Sequence, residues 1–290
     1  MTFLLLCILG IFSPNGLNEQ YLPAFSASGP GKQKSLPRLT IPPPPPGAET
    51  GSVFMERIAS LAPEEREEEI YKAIVSGNIP GFLRRPVVLK ARFADSTGEM
   101  HTLIFEVMPD YLAVGSDNDF CRIPMTPYTA QRIARAFGAS LITAKLSDYV
   151  YQMAEVKLSP FYYAPVGNAN EQVSKFREHN AQIEKQLKES GGKHGQLIAG
   201  IKKDVILSSR IAENPDRVVI YGWHKPGGDA IQPVYGGHAG WYVDYSHGIR
   251  LVNNRVLVDG DLFFMDEVLK DPVLFRLLSN EENPVKVPFY

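Results

Sequence analysis

The chain has little of several things that would name a function outright. It holds two cysteines among 290 residues, Cys7 and Cys121. Cys7 falls in a leader-like stretch, which leaves Cys121 single, so neither a disulfide framework nor a cysteine zinc site can be built. Cys121 reads as a buried, inert thiol rather than a nucleophile. There is no excess of either charge: 30 Lys and Arg against 32 Asp and Glu give a net charge of -2. Without a basic surplus, generic nucleic-acid binding is disfavoured, because phosphate contacts require clustered Lys and Arg. No Gly-x4-Gly-Lys-Ser/Thr frame or other nucleotide-cofactor motif is present, since "GGK" at Gly191–Lys193 lacks the rest of a P-loop.

Long apolar runs are missing as well. The one candidate, "FLLLCILGIF" from Phe3 to Phe12, is too short to span a bilayer as a helix. It matches the apolar region of a secretory signal, and "PAFSASG" beyond it offers small residues for cleavage. Residues 1–27 are therefore expected to be a signal peptide. The mature chain is expected to be secreted or periplasmic, a location favoured over the cytoplasm, with no stable transmembrane segment. Residues 28–50 are rich in Gly, Ser, Lys and Pro and end in "IPPPPPGAETG". Five successive prolines favour an extended polyproline II spacer.

From residue 51 to 290 the pattern predicts one α+β domain, with a helical and β N-lobe over 51–158 packed on a mostly antiparallel C-terminal sheet, the C-lobe, over 190–290. "TPYTAQRIARAFG" carries its own boundaries: Thr126 to cap the helix, Pro127 for its first position and Gly138 for its end. "PEEREEEIYKAIVSG" is a second helix opened by Pro63, "EQVSKFREHNAQIEKQLKES" a third, and a further helix spans about Thr143 to Val156. "PVVLKARF", "HTLIFEVMPDYLAVGS", "KKDVILSS", "DRVVIYGWH", "HGIRLV" and "NRVLVDG" are strand-like, with Asn253–Asn254 expected as a tight hairpin turn. "LFFMDEVLKDPVLFRLLSN" is expected to finish the chain as helix.

What the sequence does gather is a set of chemically capable side chains. Three of the six histidines and both tryptophans lie between Trp223 and His247, at glycine-rich turns, in "YGWHKPGG" and "YGGHAGWYVDYSHGIRLVNN". His238, Asp244 and His247 form H-x5-D-x2-H, and His224 ends the preceding strand. Imidazoles with a carboxylate are donors that a divalent transition metal such as zinc accepts, so His224, His238 and His247 are the candidate ligands. A metal-free arrangement uses the same residues, with His247 or His224 as general base oriented by Asp244. Tyr245 and Tyr242 are candidates for oxyanion stabilisation and Arg250 for holding a substrate carboxylate. Ser246 beside His247 suggests a nucleophile–base pair, but neighbours on a strand face opposite ways.

"SHGIRLVN" resembles the Ser-His-Gly-Cys-Ile/Val-Arg-Leu signature of L,D-transpeptidases, the cysteine enzymes that cross-link peptidoglycan. Ser246, His247 and Gly248 match, as do Ile249, Arg250 and Leu251 once one residue is skipped. The skipped residue is the nucleophilic cysteine, so this eight-residue resemblance implies neither that fold nor that activity. The expectation is an exported hydrolase, with or without a metal, acting on an extracellular or cell-envelope polymer or peptide through His247, Asp244, Tyr245, Ser246 and Arg250. The alternative is a non-catalytic glycan- or peptide-binding module using Trp223, Trp241 and Tyr242 as platforms. Packing alone is the third reading, because buried Trp, Tyr and His often serve the core.

Overall fold

Thr126, Pro127 and Gly138 show how directly local chemistry sets an element. In the computed structural model, which describes residues 35–290, the Thr126 hydroxyl accepts a hydrogen bond from Thr129 N, Pro127 opens the helix, and Gly138 closes it at φ +68°. Ala130, Ile133, Ala134 and Phe137 lie on its buried face. Burial of side chains such as Ile133 and Phe137 is worth about 1.5–3 kcal/mol each. That burial, more than the caps, fixes the helix against the sheet.

In chain order the elements are α1 (Gly51–Arg57), α2 (Pro63–Val75), β1 (Val87–Ala94), β2 (Met100–Val107), β3 (Ala113–Ser116), β4 (Asp119–Arg122), α3 (Pro127–Phe137), β5 (Ala139–Thr143), α4 (Ala144–Met153), β6 (Val156–Lys157) and α5 (Val173–Glu189). They continue with β7 (Ile198–Ala199), β8 (Lys203–Leu207), α6 (Arg210–Glu213), β9 (Arg217–His224), β10 (Ala230–Ala239), β11 (His247–Gly248), β12 (Leu251–Asn253), β13 (Arg255–Val258), β14 (Asp261–Phe264) and α7 (Met265–Lys270). The fold is α+β. A ten-stranded, mostly antiparallel sheet runs β10-β9-β8-β5-β12-β2-β13-β14, with β1 on β2 and β11 on β8. β11–β8 and β5–β8 are its parallel pairs. Strands β2 and β5 stand between strands of the C-terminal half, so the two halves of the chain share one sheet. Among the described residues no helix is long and apolar enough to cross a membrane.

Three local expectations are corrected. Asn253–Asn254 is no hairpin turn: β12 and β13 both run antiparallel to β2, Val252 opposite Val107 and Leu257 opposite Ile104, so the chain continues in one direction through a bend. The reversal comes at Asp259 (φ +50°) and Gly260 (φ +90°), which join β13 to β14 with Val258 opposite Asp261. Positive φ at both central residues is what a two-residue hairpin needs, and Asp-Gly supplies it. "DLFF" is therefore strand β14, and the helix beyond it starts only at Met265. The segment that carries His238 is a strand, β10, at the sheet edge, where Pro233 lacks no needed donor.

The proline-rich stretch lies against the domain from Pro37 onward. Asn253 donates to the Pro37 carbonyl at 2.7 Å, Thr40 N to Phe137 O at 2.8 Å, and Arg84 to Pro42 O at 2.6 Å. Gly77 (φ +92°) is required where this strap crosses, because a Cβ there would sit 2.3 Å from the Pro42 carbonyl oxygen. The signal peptide expected over 1–27, and linker residues 28–34, lie outside the described residues. Deep in the domain, Arg122 is fully buried and bonded to Asp110, Glu184 and Asn180.

Candidate functional site

The segment from Ala239 to His247 is built from two turns, and they decide which side chains meet. Tyr242 N donates to Ala239 O at 2.9 Å, which leaves Trp241 at the tip of the first turn. His247 N donates to Asp244 O at 3.2 Å, closing the second just before β11 begins. Strand alternation thus applies only from His247 on, and the His247 ring comes round towards Asp244. Inside the second turn Asp244 Oδ1 accepts from Ser246 N at 2.7 Å and Ser246 Oγ at 2.5 Å, while Tyr242 OH donates to Oδ2 at 3.2 Å. His238, near the end of β10, stacks on Tyr242 with centroids 4.5 Å apart and stands 6.5 Å from His247. Lys203 is the direct ladder partner of His247 on β8, so its side chain projects to the same face.

His247 is fully buried, and neither ring nitrogen has a hydrogen-bond partner among the described residues. Burial drives its pKa down to about 4; Asp244 opposes this, and Lys203, His238 and Lys202 add to it. Burial alone would raise Asp244, but the neighbouring His247 and Lys203 and the Ser246 bonds hold it at about 2. His238 is lowered, first by burial and then by Lys203 against the pull of Asp244. Lys203 is lowered by burial as well. Near neutrality the cluster therefore holds an ionised carboxylate beside a neutral imidazole with open nitrogens. Lys202, buried and brought down to about 7 by desolvation, clamps the second turn from beneath through Tyr245 O at 2.7 Å and His247 O at 3.2 Å.

The remaining predicted residues sit elsewhere or do other work. Ser246 Oγ donates to Asp244, with no imidazole on it, so no Ser–His pair forms. Tyr245 turns into the core against Tyr163 and His179, and its OH accepts from Tyr163 N at 2.8 Å. Arg250 is buried, with Nη1 on Met108 O and Nη2 on Ile198 O and its guanidinium over the Tyr111 ring. Trp223 is buried and donates Nε1 to Ile201 O, whereas Trp241 is 72% exposed. His224 is the clearest separation from the expected set. Gly222 (φ +106°) and Trp223 (φ +59°) interrupt the alternation of β9, so Tyr221 and His224 both reach Asp148 of α4, at 2.7 and 2.8 Å.

The ligand atoms of His224, His238 and His247 therefore do not all lie within 4.8 Å of one another, His224 being held on Asp148. The one group of three His, Cys, Asp or Glu residues among the described residues whose ligand atoms lie within 4.8 Å of one another is Asp95, Glu99 and His101. There the hairpin uses the atoms itself: Asp95 Oδ1 accepts from Thr97 N, Thr97 Oγ1 and Glu99 N, and His101 bonds Asp259 at 2.7 Å. Cys121 is buried and its thiol is pushed up to about 12, as an inert core residue would be.

Sequence reasoning missed Lys203, Asp148 and Tyr221. Lys203 was visible only as a charge before a strand, and its role follows from a parallel pairing that no local pattern encodes. Asp148 lies on α4, a helix the sequence pattern predicts, but its partners arrive from a strand some seventy residues away. Beside Asp148 and Tyr221 opens a cavity of about 570 Å³. No known protein family matches the chain, and neither a curated protein nor a solved structure matches it.

Proposed function

We propose that the protein is a hydrolase that activates water with His247 and needs no metal to do so. The observation that carries this reading is the buried His247, both ring nitrogens unpartnered among the described residues, set beside Asp244; burial lowers the imidazole pKa and so favours its neutral form. Such an imidazole accepts a proton from water as the water oxygen bonds to an acyl carbon, and later returns it to the leaving group. Asp244 stabilises the imidazolium in between. The Lys203 ammonium is the donor available for the charge that develops on the acyl oxygen. Half-exposed His238 and Tyr242 connect the buried ring to the surface. The leader-like residues before the domain support export, and an extracellular or cell-envelope polymer as the substrate class.

The test uses the full chain with chromogenic esters, peptide amides and dye-labelled cell-wall polymer, with and without EDTA. Turnover that survives EDTA and disappears in His247→Ala and Asp244→Asn supports the reading. Loss of activity on chelation, or full activity in His247→Ala, refutes it. A non-catalytic binding surface is the second reading, favoured by the exposed Trp241 at the turn tip beside the Tyr235–His238–Tyr242 aromatic run. It predicts ligand affinity that falls in Trp241→Ala, with no turnover.

A further inference from the structure

The cavity beside Asp148 shares no lining residue with the His247 cluster. It is walled by Asp148, Tyr151, Gln152 and Lys157 from α4 and β6, by Tyr221 of β9, and by the glycine turn that joins β9 to β10. Asp204 of β8 shows which face this is. It follows Lys203, so its side chain points to the other side of the sheet, where it accepts from Ser147 of α4 at 2.5 Å. The cavity and the His247 cluster thus occupy opposite faces of the same strands.

The wall is rigid where it is aromatic and uncommitted where it is polar. Tyr151 stacks on His224 with centroids 4.6 Å apart, and its OH donates to Lys225 O at 2.6 Å, which ties the helix to the start of the glycine turn. His224 and Tyr221 both donate to one oxygen of Asp148, Oδ1, and so fix the carboxylate in place. Its other oxygen, Oδ2, takes no hydrogen bond among the described residues. The side chains of Gln152, Lys157 and Asp229 likewise have none, although Lys157 lies 5.2 Å from the Tyr151 ring centroid. Four polar groups of mixed character therefore border one cavity of small-molecule size with their hydrogen-bonding capacity open.

The mixture selects the ligand. An anion would meet Asp148 and Asp229, and an apolar ligand would desolvate all four groups without compensation. A neutral ligand that carries donors and acceptors side by side satisfies every one of them: it donates to the carboxylates, accepts from Lys157 and does both with Gln152. Tyr151, Tyr221 and Pro226 offer apolar surface for the carbon-bound hydrogens of such a ligand. We infer that this cavity is a saccharide-binding site, separate from the His247 cluster.

Isothermal titration calorimetry on the full chain, with chitotetraose, cellotetraose and maltotetraose as probes, tests this. Binding of at least one is expected, weakened about tenfold or more in Gln152→Ala and in Lys157→Ala. Neither side chain holds the fold through a hydrogen bond, and an unchanged melting temperature verifies that the variants are intact. His247→Ala is expected to bind as the wild type does, which separates this site from the proposed catalytic one. The inference is overturned by the absence of binding to all three probes, by affinity unchanged in both cavity variants, or by affinity lost in His247→Ala. Preference for a simple cation or anion, lysine methyl ester or citrate, over the oligosaccharides overturns it equally.

Discussion

Acidification offers a direct reading of the state of His247. An exposed histidine titrates near 6.5, whereas burial holds His247 at about 4 and His179 at about 2 in the folded chain. Between pH 6.5 and 5 the unfolded chain takes up protons at these positions and the folded chain does not, so stability falls as pH falls. The slope for each such group is about 0.7 kcal/mol per pH unit at pH 6.5, where the unfolded imidazole is half protonated, and approaches about 1.4 by pH 5, or about 1.6 kcal/mol for each histidine over that interval. The two together remove about 3 kcal/mol, a large part of the roughly 5–15 kcal/mol that separates a typical folded domain from its unfolded state. Asp244, with its carboxyl at about 2, contributes nothing in this window, because its loss begins only below the ordinary Asp value of 3.8. His101, Asp204 and Glu67 are all raised and oppose the trend, gaining stability as pH falls through their folded values. His247→Asn isolates one term, since asparagine does not titrate and the other groups are common to both proteins. Urea denaturation at pH 5, 5.5, 6 and 6.5 (about half-unit steps suffice for the slope) is expected to give the variant a dependence shallower by about 1 kcal/mol per pH unit on average. Parallel slopes would refute the assignment of His247 as a buried neutral base.

Two further substitutions examine the framework that holds these residues. Arg122→Met removes the one cation bonded to the buried Asp110 among the described residues, and leaving that carboxylate uncompensated is expected to cost about 3–5 kcal/mol in urea or thermal unfolding; a loss below about 1 kcal/mol would mean that water replaces the pair. Gly222→Ala forces a Cβ into φ +106° and to 3.3 Å from the His224 ring, so a loss of about 1–3 kcal/mol is expected. In the same variant the His224 Cε1 proton is expected to change its NMR shift as the ring leaves Asp148, and an unchanged shift counts against the bulge as the device that turns His224.

Much of the fold could be read locally because its signals were local. Thr126, Pro127 and Gly138 bracket α3 by capping chemistry, and the alternation of β1 (Leu89, Ala91 and Phe93 buried, Lys90 and Arg92 exposed) is a plain period of two. Failures arose where two local signals competed. Asn253–Asn254 and Asp259–Gly260 both suit a turn, and cross-strand register on β2 decides between them. "DLFF" has no polar spacing to mark it as strand, and the apolar run after it suggested helix. In the candidate site, His238, Asp244 and His247 lie near one another in sequence, and two short turns suffice to bring them together. His224 was grouped with them by proximity along the chain alone. No sequence rule for alternation anticipates a tryptophan held at φ +59°, and that one residue sends the imidazole to the opposite face.

The same bulge explains how one strand serves two places at once. A regular β9 would aim Tyr221 and Trp223 together and His224 the other way, toward the Lys203 face. With Gly222 and Trp223 both at positive φ, Trp223 instead lies against the Lys203 ammonium at 4.6 Å, and His224 joins Tyr221 on Asp148. Lys203 and Asp204 repeat the division one strand over, the first facing His247 and the second Ser147. Each pair of neighbouring residues thus contributes one member to each side of a sheet a single residue thick. A substitution that slipped β8 or β9 by one position would exchange the faces and dismantle both sites together. The Lys202 ammonium, bonded to the carbonyls of Tyr245 and His247, is placed to resist that slip by tying the β8 register to the turn that carries His247.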